Sequence, residues 1–274
     1  MIELSPSKIQ TYMTCPLSYY FRYVEKIQTI RNGRAWMGSA VHKGIETAYN
    51  KQNNQAGIEE YLKRFRAQDQ EINWQEEEPI NVEKEGLNLL QVYLESKTFK
   101  NLKILNTEYE IFIPFSIAEN LKTIQFIYDS DTQDSNKIHC ILDAATKDGI
   151  IDWKTTKRKW TQDQIERNIQ FNIYALAFLY LNGQQEVPIQ AHILISKREP
   201  EIQILETKKT QEDFKTTRQI IFQIIKAIQN EIFYPNPNML CENYCDYKTL
   251  CRWKGGGNDK SNREFSSDTI SNKI

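Results

Sequence analysis

Two aspartates and a lysine on one inferred β-hairpin constrain this chain more than any other feature, because a sheet must hold two carboxylates and an ammonium together. Ile138 to Asp143 reads as a strand, Ala144 to Gly149 as a turn tightest at Asp148-Gly149, and Gly149 to Thr155 as the returning strand. Successive strand side chains point to opposite faces, so Asp152 and Lys154 share a face and Trp153 takes the other. A hard cation such as magnesium takes carboxylate oxygens, keeps several waters and accepts a substrate phosphate, while a lysine beside it orients or helps deprotonate water. That is a minimal kit for metal-dependent phosphodiester cleavage. An ordinary hairpin with solvated charges is the alternative, since D-x-K is a short string.

Two further motifs bear on that choice. Gly38-Ser39-Ala40-Val41-His42 lies in a segment, Trp36 to Asn50, that reads as a helix and offers the His42 imidazole as a ligand. Gln170 and Tyr174 are four apart in a helical run from Thr161 to Leu181, so they share a helical face. The set G-x-x-x-H, aspartate, D-x-K and Q-x-x-x-Y resembles the PD-(D/E)xK nuclease superfamily, in its RecB-like and CRISPR-associated exonuclease branch, from Leu4 to about Trp253. The resemblance implies a restriction-endonuclease-like α/β core, a mixed sheet flanked by helices, with a helical elaboration. It implies a magnesium or manganese ion held by His42, Asp143 and Asp152, with Lys154 supporting the attacking water and Gln170 and Tyr174 completing the catalytic set. In one departure, Cys140 stands where the family often has glycine, three residues before the first aspartate, and a packing difference is expected there.

The five cysteines are Cys15, Cys140, Cys241, Cys245 and Cys251. Three form C-x3-C-x5-C near the C-terminus, and Cys15 stands alone before Pro16. Three grouped thiols plus one remote thiol suit zinc or an iron–sulfur cluster, and spacing does not separate the two. An N-terminal Cys-Pro with a C-terminal triplet is similar to the iron–sulfur staple of RecB-like nucleases, which implies a 4Fe-4S cluster on Cys15, Cys241, Cys245 and Cys251. Those relatives more often have two residues between the first two cysteines of the triplet, where this chain has three. Cys140 reads as a buried strand residue. The segment Met1 to Pro6 lacks a basic region followed by an apolar core, so a cytoplasmic, reducing setting is expected, in which grouped cysteines serve ligation rather than disulfides.

With 274 residues, 40% of them hydrophobic, the chain can bury a large core, and residues 1–254 are expected to form one nuclease domain ahead of a disordered polar tail, 255–274. The net charge of −1 provides no bulk attraction to nucleic acid, so contact with DNA is assigned to the basic run Lys157, Arg158 and Lys159 after the hairpin. Ser5 and Pro6 start a first helix that is expected to run on through Tyr12 and the aromatic cluster Tyr19 to Tyr23, most of it core. Glu108 and Glu110 are assigned to a polar strand face, and His139 and His192 to structural roles. No apolar stretch reaches membrane-span length, and no phosphate-binding loop is present, so any helicase or recombination partner is expected on another chain. The expected activity is metal-dependent DNA cleavage, exonucleolytic at ends or on single strands, in replication, recombination or repair. An inactive DNA-end-binding subunit and a zinc-stapled nucleic-acid-binding protein are the rivals.

Overall fold

A computed structural model of the chain describes residues 2–67, 71–128, 135–242 and 244–251. The expected tail, 255–274, lies outside the described residues.

A short strand, β1 (Glu3–Leu4), leads into α1 (Pro6–Thr14), where Ser5 Oγ accepts from the Lys8 N–H at 3.2 Å and Pro6 occupies the first turn. The helix does not continue to Tyr23 as expected. Pro16 has no N–H and crowds the residue before it, so Cys15 is extended, with φ −161° and ψ 108°. The chain turns there and restarts as α2 (Pro16–Tyr19), closing in a π-helical turn, Tyr20–Val24. Cys15 therefore sits at a corner rather than along a helix.

A helical lobe follows. It comprises β2 (Arg31–Asn32), α3 (Gly33–Lys51), α4 (Asn54–Arg66), β3 (Ile72–Asn73), α5 (Pro79–Glu95) and α6 (Lys97–Lys100), and β2 pairs in parallel with β3. Asn32 and Asn53 carry the caps of α3 and α4, their side-chain oxygens accepting the first free backbone N–H groups. The remaining elements are β4 (Ile104–Ala118), β5 (Thr123–Phe126), β6 (Asn136–Thr146), β7 (Ile150–Thr156), α7 (Gln162–Glu166), α8 (Ile169–Asn182), β8 (Val187–Ile195), β9 (Glu201–Lys209) and α9 (Gln211–Gln229). Among the described residues the main sheet runs β5-β4-β6-β7-β8-β9, with β1 added in parallel beside β6. Only β7 and β8 are parallel among the long strands, joined by a crossover through α7 and α8, so the sheet is mixed.

Alternation along the strands gives the sheet two apolar faces. On one, Ile111, Ile113, Ile138, Leu142, Ile189 and Ile193 pack under α1, α8 and α9. On the other, Ile151, Trp153 and Leu194 pack under α3, α4 and α5. Cys140 is 1% exposed on the first face, in the strand position expected of it.

The second face contains a buried polar chain that holds β7 from behind. Trp153 Nε1 donates to Tyr93 Oη at 2.8 Å, Tyr93 Oη lies 2.6 Å from His192 Nδ1, and His192 Nε2 faces Gln190 Oε1 at 3.3 Å. A neutral imidazole protonated on Nε2 satisfies every partner, and burial lowers the His192 pKa to about 4. Between that value and the ordinary one near 6.5, the unfolded chain takes up a proton that the native state refuses. This group therefore favours the fold above about pH 6.5 and loses about 3 kcal/mol of stability as the pH falls through about 4. In urea titrations from pH 7 to 4, His192→Gln is expected to remove that part of the acid lability; an unchanged difference between the two ends would show that His192 is not buried neutral.

Candidate active site

The sheet forks where the inferred hairpin was placed. Pairing of β6 with β7 covers Ala144↔Ile151 and Ala145↔Ile150, after which β7 continues along β8 and β6 along β4. Ala144 and Ala145 thus belong to the strand rather than to the turn. Asp143 and Asp152 are the first residues beyond the fork, one on each strand. On β4 the register joins Thr107↔Ala144 and Tyr109↔Leu142, which leaves Glu108 opposite Asp143 with a left-handed φ of 44°. A bulky side chain in that region is strained and marks a local break in the ladder.

Side chains from several elements meet at the fork. Asp143 Oδ2 accepts from the Trp153 N–H at 2.8 Å and lies 3.5 Å from His42 Nδ1. Lys154 Nζ stands 2.7 Å from Asp152 Oδ2 and 5.7 Å from the centre of the Phe171 ring. As expected, Asp152 and Lys154 share a face, and Trp153 is buried on the other. The lysine contact is an ion pair without hydrogen-bond geometry, because neither Asp152 oxygen has a hydrogen-bond partner although its side chain is only 1% exposed. His42 reaches the fork because α3 packs closely on β7: a Cβ on Gly38 would lie 2.6 Å from Thr155 Oγ1. Any larger residue there would push α3 outward.

The run from Thr161 to Leu181 is two helices rather than one. It breaks at Arg167-Asn168, where Asn168 Oδ1 caps α8 by accepting from the Gln170 N–H at 2.9 Å. The break aims the first turn of α8 at the site. Gln170 Nε2 donates to Tyr174 Oη at 2.7 Å. The charges of Asp152 and Asp143 are felt at Tyr174, and burial first, then those charges, holds its phenol protonated.

Electrostatics separates the two aspartates. Burial alone would raise both. At Asp143 the neighbouring His42 and Lys154 outweigh it, so that carboxyl titrates below the ordinary range. At Asp152 burial prevails over the attraction of Lys154, with Asp143 adding repulsion, and the pKa rises to about 6. Burial opposes charge on Lys154 and on His42 too, yet the aspartates overcome it and raise both. Lys154 is therefore an ammonium at neutral pH. A buried carboxylate whose one polar neighbour at contact distance is the Lys154 ammonium has lone pairs left for an added cation, and oxygens from Asp143 and Asp152 with an imidazole from His42 suit magnesium or manganese. Among the described residues, no three His, Cys, Asp or Glu side chains already stand at coordination spacing. Lys154 supplies the positive charge beside Asp152 in their place.

The fork opens into a cleft of about 620 Å³ lined by His42, Lys43, Glu108, Lys154, Arg64 and Ser39, among others. Glu108 was assigned to a polar strand face, yet it lines this cleft, and burial followed by the charge of Asp143 raises its pKa. The sequence places it on one strand face with Glu110, and nothing local separates the two. Glu110 instead pairs with His139 at 2.8 Å on the outer face. The basic run is largely occupied: Lys157 pairs with Glu77 at 3.0 Å and Lys159 with Glu201. Both pairs are exposed, so a phosphate can displace them at small cost.

Cys15, Cys241, Cys245 and Cys251 line one pocket of about 200 Å³ at the α1–α2 corner, and each is a free, half-buried thiol. Backbone N–H groups of Asn236 and Asn238 donate to the sulfurs of Cys15 and Cys241 at 3.4 and 3.3 Å. Burial raises the Cys245 thiol, and the other three cysteines add repulsion. The set is gathered but is not at ligation spacing.

The family model of the PD-(D/E)XK nuclease superfamily matches residues 3–252. A crystal structure of a protein described as a "putative exonuclease" from Eubacterium rectale superposes with a TM-score of 0.57 at 13% identity, covering 99% of this chain and 94% of that one. At that identity the likeness establishes the fold. The structure of the protein SSO0001 superposes with a TM-score of 0.39 at 14% identity over 91% of this chain and 96% of that one, too low to support an argument. No curated protein matches the chain at a significant level.

Proposed function

The chain belongs to the PD-(D/E)XK nuclease superfamily, and from that premise we propose that it is a magnesium- or manganese-dependent deoxyribonuclease of the RecB-like type, acting exonucleolytically on DNA ends or single strands in replication, recombination or repair. The observation that carries this reading is Asp152, a carboxylate 1% exposed in its side chain with neither oxygen hydrogen-bonded, beside Asp143, His42 and Lys154. The exonuclease assignment rests on the motif set of Gly38, His42, Asp143, Asp152, Lys154, Gln170 and Tyr174.

In this reading His42, Asp143 and Asp152 hold the ion, with Glu108 adding a carboxylate from β4. When bound, the ion supplies Lewis-acid charge to the scissile phosphate and acidifies water. Lys154, kept as an ammonium by the two aspartates, orients the attacking water as a donor and is not a general base. The water oxygen bonds to phosphorus as one P–O ester bond breaks; the attacking water gives up one proton to bulk solvent, and the leaving alkoxide takes one proton from bulk solvent. Tyr174, fixed by Gln170, stays a phenol and closes the apolar side of the site. Lys157, Arg158 and Lys159 are the proposed DNA contacts on the rim, of which Arg158 has no ion-pair partner among the described residues.

A 4Fe-4S cluster on Cys15, Cys241, Cys245 and Cys251 fits the same reading, with zinc as the alternative occupant. What supports it is the gathering of four thiols in one pocket, with backbone N–H groups turned toward two of the sulfurs, as is usual around ligating thiolates. The function is tested with end-labelled single- and double-stranded DNA incubated with magnesium, manganese or chelator. Metal-dependent shortening from an end supports the proposal, and intact DNA under all metal conditions refutes it.

A further inference from the structure

The cleft presents a polyanion with a difficulty. Glu60 and Glu108 line it, and Asp143 and Asp152 stand against its lining residues His42 and Lys154, so a nucleic-acid strand entering it meets four nearby carboxylates. Of the cations around it, Lys43 is committed to Glu46 at 2.6 Å and Lys154 to Asp152 at 2.7 Å. Arg34, at the start of α3, is taken by Glu77 and Glu85. Arg64 differs. It lines the cleft from α4, and among the described residues it has no carboxylate partner, since Glu60 one turn before it contacts Lys63 at 3.6 Å instead.

Its position is nevertheless fixed. The Arg64 guanidinium lies 4.8 Å from the centre of the Trp36 ring, and that of Arg31 lies 5.3 Å from the same ring. Trp36 is itself immobilised, 1% exposed, with Nε1 donating to Phe65 O at 2.8 Å. A guanidinium stacked on an aromatic face keeps its N–H fork free and loses little further freedom when it binds a phosphate bidentately. Two arginines without an ion pair among the described residues, both on one rigid tryptophan and one of them in the cleft, are thus an oriented anion-binding element.

We propose that Arg64, with Arg31 on the same tryptophan, grips a backbone phosphate of the nucleic-acid strand adjacent to the scissile one and so sets the strand's path into the cleft. This rests on the nuclease reading. Because phosphates carry no sequence information, the contact contributes affinity and register but no base preference. It is a positioning contact and takes no part in bond breaking.

The test is equilibrium binding of fluorescent single-stranded oligonucleotides of two unrelated sequences, over a range of salt concentrations, to full-length protein carrying Asp152→Asn to prevent cleavage. On that background Arg64→Met, which keeps the aliphatic packing on Trp36, is expected to weaken binding about tenfold, equally for both sequences. It should also reduce the slope of log affinity against log salt by about 0.7, the value of one phosphate contact on a single strand. Arg64→Lys, which keeps the charge but loses the planar fork, should keep the parent's salt slope while losing part of the affinity, and Arg31→Met should give a smaller loss of the same kind as Arg64→Met. Binding by Arg64→Met with the parent's slope overturns the clamp and leaves the nuclease reading intact. Absence of salt-dependent binding by the Asp152→Asn parent overturns both.

Discussion

Asp152→Asn is expected to abolish DNA cleavage, lowering turnover by about a thousandfold or more, while the metal-free protein melts at or above the wild-type temperature. The two effects have one cause. In the native fold Asp152 is enclosed, burial outweighs the attraction of Lys154, and its pKa is pushed up to about 6, so its charge is an expense to the metal-free protein. The amide keeps the shape and discards the charge, so stability is preserved, but a neutral amide oxygen binds a hard cation far more weakly than a carboxylate does. A thousandfold loss corresponds to about 4 kcal/mol in the barrier. Lys154→Ala should also lose cleavage, but with a lower melting temperature, because it strips Asp152 and Asp143 of a nearby positive charge. Turnover near wild type in either variant, assayed with magnesium on end-labelled DNA, would remove the fork from the role of active site. A marked fall in the melting temperature of Asp152→Asn would show that the carboxylate is satisfied after all.

Cys15→Ala is expected to empty the cysteine site and destabilise the protein together. Cys15 lies at the corner that Pro16 imposes between α1 and α2, and the other three cysteines lie at the far end of the described chain, so a cluster on all four closes most of the chain into one loop. By analogy with a covalent cross-link over so long a loop, its loss costs about 5 kcal/mol. Cys140→Ser should keep the cluster, since Cys140 is buried in the sheet core among apolar side chains, and the cost there is one of packing. Iron and acid-labile sulfide per chain, measured with thermal unfolding on each anaerobic preparation, decide the matter. Full iron occupancy in Cys15→Ala, or its loss in Cys140→Ser alone, contradicts the ligand assignment.

Much of this was legible from local pattern. The alternation Ile151, Asp152, Trp153, Lys154 fixed which side chains share a face, because strand geometry has a period of two, and the observed burial follows it. The mixed sheet between helices also followed from the order of helical and alternating segments. What the sequence hid was non-local or sat at breaks in a period. Nothing near Glu108 announces a left-handed residue opposite Asp143, since that conformation arises where β4 pairs with β6. The break at Asn168 is a capping event inside an apolar run, and periodicity alone passes over it. Arg64 is not marked in the sequence, where Glu60 stands one turn before it, because its place on Trp36 and its lack of an ion pair among the described residues are set by how α3 and α4 pack. The basic run Lys157 to Lys159 stood out in sequence, yet its ion pairs come from the distant Glu77 and Glu201.

The central claim is that His42, Asp143 and Asp152 at the sheet fork hold the divalent ion of a nuclease. Crystals of the protein soaked in manganese and measured near the manganese absorption edge test it most directly. The account predicts an anomalous peak at about 2.0–2.3 Å from an imidazole nitrogen of His42 and from carboxylate oxygens of Asp143 and Asp152, with Lys154 displaced from Asp152 and the peak absent in Asp152→Asn. Manganese bound only elsewhere, or no peak at the fork while Lys154 keeps its ion pair, would contradict it.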